Sequence, residues 1–283
     1  MSKTIALLVT LDTKDQEAEY LREQIQNRGH KAIISDIGVV GKPGIGADFS
    51  REMVIREGGG DLNVILQDPT REKSNPFVVS GAKSYLKKLI ESDKLLAVLG
   101  LGGTQGTSTC TEIMQDLPYG FPKIMVSTMA SGDTSGFVGI KDITMMFSVS
   151  DILKINPFTR KILSNAAAAA CGMAEDTTKF IVEKGERPLI GMSNLGVLTN
   201  GAMEAIRRIE ERGYEVIVFH AVGSGGQAME QMMKEGIIGA VFDYAMGEIA
   251  DDVWKVLRAG GPERLTVAGK LGIPQVLCPG GAE

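Results

Sequence analysis

Small polar residues and glycines follow the first, third and fourth predicted strands of the N-terminal half, and their types could support chemistry. The first run is TLDTK at 10–14, the second is GLGGTQGTST at 100–109, and the third is STMASGDTSG at 127–136. Ligands of open parallel sheets bind beyond the carboxyl ends of the strands. The three runs therefore predict one ligand site.

The segment GLGGTQGTST is the strongest of the three. Its glycines let the backbone approach a ligand, and the helix that follows would favour phosphate or carboxylate at its N-terminus. A tight strand-to-helix turn capped by Ser or Thr explains the segment equally well. It is not a Walker A motif, and Gln105 breaks the dinucleotide fingerprint, which weighs against NAD. The predicted phosphate contacts are Gly102, Gly103, Thr104, Gly106 and Thr107.

Charged residues close to the first two strand ends have a chemical and a structural interpretation. Asp12 could hold Mg²⁺ through oxygen and Lys14 could meet a phosphate, or the two could be a helix cap and a solvated lysine. Asp36 ends the second strand, where nucleotide-binding folds place a carboxylate on a ribose hydroxyl, but it could be a turn residue. Thr10 and Thr13 would close the site from the first strand.

Further polar contacts are predicted from both halves of the chain. They are Ser127, Thr128, Ser131, Ser193, Asn194 and Asn200. No nucleophile, base and acid set accompanies them, and Cys110 falls within a predicted helix, which favours burial. The sequence therefore indicates a binding site more clearly than a reaction, and leaves open whether the protein is an enzyme.

Composition excludes several classes of function. The chain has 283 residues, a formal net charge of −5 and a pI near 5.3, which argues against a nucleic-acid-binding surface. The apolar run at 5–9 is too short for a signal peptide or a membrane span, so we expect a cytoplasmic protein. Its three scattered cysteines are expected to be reduced and mostly buried.

The chain repeats itself at long range. Residues 4–38 and 188–222 both show an apolar run, a polar loop, an amphipathic helix, a glycine and a second apolar run, and FPKIMVSTMAS (121–131) resembles IPQVLCPGGAE (273–283). The repeat predicts two Rossmann-like three-layer α/β units with mainly parallel sheets and a ligand cleft between them. We expect a first unit at 1–183 with a C-terminal helical extension and a second unit at 188–283, with a boundary at 183–188. The second unit is expected to be truncated and the chain to be a fragment of a longer protein; the alternative is an extension that only the first unit carries.

Periodicity also predicts individual elements. Strands are expected at 3–11, 32–34, 95–101, 123–126, 143–147, 216–219, 237–242 and 275–278. Helices are expected at 77–93, 108–117, 157–176, 224–235 and 248–258, with amphipathic helices ending at Gly29 and Gly213. The loop at 38–48 is rich in glycine and proline, and we expect it to turn rather than to pack.

The segments VTLDTKDQEAEYLR, GLGGTQGT, STMASGDTS and MSNLGVLTNG, with the ending CPGGAE, resemble one family. It is the tomato-mosaic-virus-resistance-protein-like ATP-binding family, otherwise uncharacterised, of bacteria, fungi and plants. The resemblance covers the whole chain and implies two α/β subdomains. It also implies ATP with Mg²⁺ at the matching loops, since the corresponding region of the plant protein binds them.

The sequence is compatible with three functions. The first is an ATP–Mg²⁺-binding protein whose nucleotide lies in the cleft between the units. The second is a phosphotransferase or ATP-dependent ligase acting on a small carboxylate metabolite. The third is a nucleotide-sensing interaction module. The small-residue segment at 164–174 suggests a close-packed interface. A homodimer is the expected assembly, although packing of this segment on its own sheet explains it equally well.

Overall fold

The computed structural model describes residues 2–176, 178 and 189–279. The chain divides into two compact units, residues 1–179 and 180–283. The predicted boundary at 183–188 lies outside the described residues.

Five strands form the sheet of the first unit. They are β1 (Thr4–Val9), β2 (Lys31–Asp36), β3 (Ala97–Gly102), β4 (Lys123–Ser127) and β5 (Thr144–Phe147). Their order is β2-β1-β3-β4-β5, and every neighbouring pair is parallel. Such a sheet places the loops after its strands at one edge, as a site made of those loops requires.

In the described part of this unit, seven helices accompany the sheet. They are α1 (Asp15–Gln26), α2 (Arg51–Glu57), α3 (Leu62–Ile65), α4 (Arg71–Glu91), α5 (Thr104–Met114), α6 (Ser135–Val138) and α7 (Pro157–Glu175). Alternate residues of the strands point to opposite faces: Leu7 packs with α1 and α7, whereas Leu8 packs with α2, α4 and α5. The predicted three-layer arrangement of the first unit is confirmed.

The second unit repeats the same strand order. Its strands are β6 (Leu189–Asn194), β7 (Val216–His220), β8 (Ile238–Asp243) and β9 (Gln275–Leu277). The order β7-β6-β8-β9 is that of the first four strands of the first unit, again with parallel pairs. Its helices are α8 (Thr199–Glu210), α9 (Ser224–Lys234), α10 (Gly247–Val253) and α11 (Val267–Leu271). The predicted two-unit α/β architecture is confirmed.

Several predicted helix boundaries were wrong for local reasons. Helix α4 begins at Arg71 rather than at residue 77, with Pro76 tolerated in its second turn. Helix α10 ends at Val253 rather than at 258, because Lys255 adopts a left-handed φ of 53°. Helices α2 and α3 were not predicted.

All three cysteines are free thiols. Cys110 and Cys171 are buried, and Cys278 is partly exposed. Burial raises the pKa of the Cys110 thiol to about 12, so this cysteine stays protonated and acts as core.

Candidate functional site

A cavity of about 560 Å³ lies at the carboxyl edge of the first sheet. Four chain segments provide most of its lining: residues 10–14 after β1, 37–40 after β2, 69–78 at the start of α4 and 103–109 at the start of α5. Cavities of this size hold small-molecule ligands. The three runs singled out by sequence contribute unequally, since no residue of the 127–136 run lines the cavity.

Three helices begin at this cavity. The N-cap residues of α1, α4 and α5 are Lys14, Thr70 and Gly103. The Lys14 and Thr70 side chains make no capping hydrogen bond, and Gly103 has no side chain to make one. All three N-caps line the cavity. The first-turn N–H groups of a helix have no partner within the helix, and its dipole adds partial positive charge. The arrangement favours an anion that approaches several helix ends at once.

The Gly-rich segment is shorter as a loop than predicted. Helix α5 starts at Thr104 rather than at residue 108, so Thr104, Gly106 and Thr107 are helical. A Cβ on Gly102 would lie 2.7 Å from the backbone of Gly106, which explains how the helix can leave the strand so abruptly. Gly103 differs, because its added Cβ would meet only the Thr128 hydroxyl, at 3.8 Å. Gly103 therefore leaves open space beside the first turn of α5.

Arg71 supplies a side-chain cation to the cavity. It is the first residue of α4 and is exposed. Among the described residues, its guanidinium has no hydrogen-bond or ion-pair partner. An unpaired guanidinium beside three helix N-termini adds to the preference for phosphate or carboxylate.

The predicted residues of the first loop all line the cavity, but they differ in exposure and in the hydrogen bonds that they already make. The Thr10 and Thr13 hydroxyls lie 3.1 Å apart. Asp12 is partly exposed, and its Oδ2 accepts the Gly41 N–H at 3.1 Å. Lys14 is buried, and its Nζ donates to the Ile152 carbonyl at 2.6 Å. Asp12 is the more accessible of the two charged groups.

Asp36 does not line the cavity. It is buried, and its Oδ1 accepts the N–H groups of Leu11 at 3.1 Å and Gly38 at 2.9 Å. Burial raises the pKa of this carboxyl, although those two hydrogen bonds act in the opposite direction. In this structure Asp36 ties the loop after β1 to the loop after β2.

The remaining predicted contacts of the first unit are set back from the cavity. Thr107 and Ser127 are fully buried, and their hydroxyls lie 2.7 Å apart. This pair joins α5 to the end of β4. Thr128 donates its N–H to the Gly102 carbonyl at 3.4 Å, and Ser131 is exposed.

Three predicted residues belong to the second unit. Ser193 is buried and donates to Asp243 Oδ1 at 2.6 Å. Asn194 ends β6, its Nδ2 lies 3.5 Å from the Thr199 hydroxyl, and Asn200 is exposed in α8. The first-unit cavity includes none of these residues.

Comparison with known proteins decides the family. The N-terminal domain of the uncharacterised protein family UPF0261 matches residues 3–179, and its C-terminal domain matches residues 187–283. The chain belongs to the UPF0261 family.

Relatives occur in bacteria and in a plant. A UPF0261 protein of Clostridium tetani is 41% identical over 99% of this chain and 69% of its own length. One from Rhizobium meliloti is 32% identical over 97% of this chain and 67% of its own. The ToMV susceptible protein tm-1(GCR26) of Solanum lycopersicum is 30% identical over 99% of this chain and 39% of its own. The resemblance drawn from the loop motifs is confirmed.

Sequence reasoning missed the part of this UPF0261 site that α4 provides. Asn75 accepts from the Thr109 hydroxyl at 2.8 Å and donates to Glu112 at 2.9 Å, which joins α4 to α5 beside the cavity. The only available signal was Thr70 standing before a charged, helix-compatible run, and Pro76 obscured it.

No helix among the described residues combines the length and the apolar character that crossing a membrane requires. Within the same residues, no group of three or more His, Cys, Asp or Glu side chains is arranged to hold a metal ion.

Proposed function

We propose that this UPF0261 protein binds a nucleoside triphosphate, ATP with Mg²⁺, in the cavity of its first unit. The observation that carries the proposal is the convergence of three uncapped helix N-termini on one cavity of about 560 Å³. A triphosphate presents several anionic groups in a row, and helix N-termini bind phosphate through N–H groups and dipole.

The residues that line the cavity suit both ATP and Mg²⁺. Gly103 leaves space for a phosphate beside the first turn of α5, and Arg71 adds a charged donor. Asp12 is the carboxylate at the cavity that would meet Mg²⁺, because protein Mg²⁺ sites commonly combine one or two carboxylates with phosphate oxygens. Val40 is 68% exposed and Leu153 is 70% exposed at the cavity, and they offer an apolar surface for a base.

Isothermal titration calorimetry tests the proposal. We expect saturable binding of ATP with Mg²⁺, weaker binding of AMP, and no binding of NAD. Arg71→Ala should weaken ATP binding about tenfold, since a charge-assisted hydrogen bond is lost. Arg56→Ala is the matched control, because Arg56 is exposed in α2 and does not line the cavity.

A second variant tests the phosphate end directly. Gly103→Val would fill the space beside α5, and its Cβ would meet only the Thr128 hydroxyl, at 3.8 Å, so we expect ATP binding to be lost and the fold to be retained. NAD binding without ATP binding would overturn the proposal. So would ATP binding that Gly103→Val and Arg71→Ala leave unchanged.

A further inference from the structure

The segment 38–46 packs against the site, contrary to the expectation that it merely turns. Glycines recur at every third position, 38, 41 and 44, and each donates its N–H inward. The acceptors are Asp36 Oδ1 at 2.9 Å, Asp12 Oδ2 at 3.1 Å and the Leu11 carbonyl at 3.1 Å. We call the segment 38–46 the loop wall. Its first three residues, 38–40, line the cavity and form part of one side of it.

Contact with carboxylates explains why these positions are glycine. A Cβ on Gly41 would lie 2.6 Å from the Asp12 Cβ, and one on Gly44 would lie 2.0 Å from Asp15 Oδ2. Gly46, in the same segment, would meet nothing within 4 Å. The loop wall is therefore packed tightly against Asp12 and against Asp15, the first residue of α1, whereas Gly46 contacts neither.

Arg51 holds the other side of the loop wall. Its Nη1 donates to the Val39 carbonyl at 3.1 Å and also to the Gly41 carbonyl. Arg51 is the first residue of α2 and does not line the cavity. The backbone of Gly41 is thus held on both of its polar groups. Asp12 accepts its N–H, and Arg51 donates to its carbonyl.

We propose that the loop wall is a movable side of the ligand cavity, latched by Asp12 and Arg51, and that Arg51 is a positioning residue for the bound ligand. The ligand identity rests on the proposed function, whereas the latch rests on the contacts above. Asp12 also lines the cavity, so a ligand that binds its carboxylate changes the hydrogen bond between Asp12 and the Gly41 N–H. The wall therefore couples the ligand to α2, which touches no part of the cavity.

Hydrogen exchange followed by mass spectrometry, on the whole chain without nucleotide, tests the latch. Arg51→Met should speed exchange across residues 38–46 about tenfold, since hydrogen bonds from a charged donor are lost. Arg56→Met in the same helix is the control. Gly41→Ala should have the same effect by steric displacement, whereas Gly46→Ala should leave exchange unchanged. Arg51→Lys, which keeps one cationic donor, should fall between wild type and Arg51→Met.

ATP titration of the same variants tests the positioning role. Arg51→Met and Gly41→Ala should raise the Kd for ATP with Mg²⁺ about tenfold, with the controls unchanged. Unchanged exchange in both variants would overturn the latch. Faster exchange with an unchanged Kd would overturn the positioning role of Arg51. Faster exchange in a protein whose wild type binds no ATP would overturn the proposed function and leave the latch standing.

Discussion

Neighbouring glycines in the Gly-rich segment have different structural roles. Gly102 allows β3 and α5 to meet, because a Cβ on it would lie 2.7 Å from Gly106 backbone atoms that cannot move aside. Gly103, one residue later, meets no backbone and faces the cavity. The segment is thus part packing motif and part candidate binding surface.

This difference gives a prediction for stability. Gly102→Ala should destabilise the first unit by about 1–3 kcal/mol, the usual cost of overpacking. Gly103→Ala is the matched control and should lie within about 0.5 kcal/mol of wild type. Urea unfolding followed by circular dichroism measures both. Equal losses for the two variants would contradict the assignment of separate roles.

At the same scale, the sequence predicted residue types better than side-chain directions. Thr107 and Ser127 have the hydroxyls that a phosphate site needs, but the structure turns them towards each other inside the core. Asp36 ends a strand as a ribose-binding carboxylate would, yet it accepts N–H groups from two loops. Periodicity places a residue on an element, whereas the packing of a second element decides which way the side chain points.

Helices with clear caps were the easiest elements to predict. Asn156 and Pro157 predicted the start of α7, and the structure shows a complete capping box there. Asn156 Oδ1 accepts the N–H groups of Phe158 and Thr159, and the Thr159 hydroxyl accepts the Asn156 N–H. The start of α4 was missed because Thr70 makes no side-chain cap bond and Pro76 interrupts the pattern.

The capping box yields a prediction for α7. Asn156→Ala should destabilise the protein by about 1 kcal/mol, since two N–H groups lose their acceptor. Asn165→Ala is the control, because Asn165 is exposed within the same helix and should tolerate a strong helix former. Thermal unfolding of both variants tests this. A loss for Asn165→Ala as large as that for Asn156→Ala would show that the cap is not the cause.

Across the whole molecule, the repeat produces two sheets of the same strand order with different chemistry at their edges. In the first unit, the N-termini of α1, α4 and α5 lack side-chain caps. In the second unit, Glu248 Oε1 accepts the N–H groups of Gly223 at 2.6 Å and Gly226 at 3.0 Å, which satisfies the start of α9. The repeat was visible in sequence because apolar periodicity is local. The contact of Glu248 with the start of α9 was not visible, because Glu248 lies in α10, which is distant in sequence.

The second unit contains a buried ionic network around Arg264. Arg264 donates to Asp243 Oδ1 at 2.6 Å, to Glu248 at 2.8 Å and to Glu230 at 3.4 Å. Burial alone would lower the pKa of Arg264, but its hydrogen bonds to Asp243 raise it, so it stays charged. Three carboxylates then share one guanidinium, and the buried Glu230 Oε2 has no hydrogen-bond partner among the residues that the structure describes.

The excess of carboxylates predicts how the stability of the second unit depends on pH. Burial raises the pKa of Glu230 above its ordinary 4.5, and Asp243 adds to the rise, although Leu265 N–H and Arg264 oppose it. The folded state therefore holds this proton more tightly than the unfolded state. The resulting stabilisation is present at low pH and is lost as the pH rises through the folded-state pKa.

Glu230→Gln should remove that pH dependence, because an amide cannot titrate. Hydrogen exchange of the β8 amides across a pH series, corrected for intrinsic exchange rates, reports the opening free energy of the second unit. In wild type this free energy should fall as the pH rises above about 4.5, and the fall should be smaller in Glu230→Gln. Glu210→Gln is the control, since Glu210 is exposed in α8. Parallel curves for wild type and Glu230→Gln would contradict the assignment of this pH dependence to Glu230.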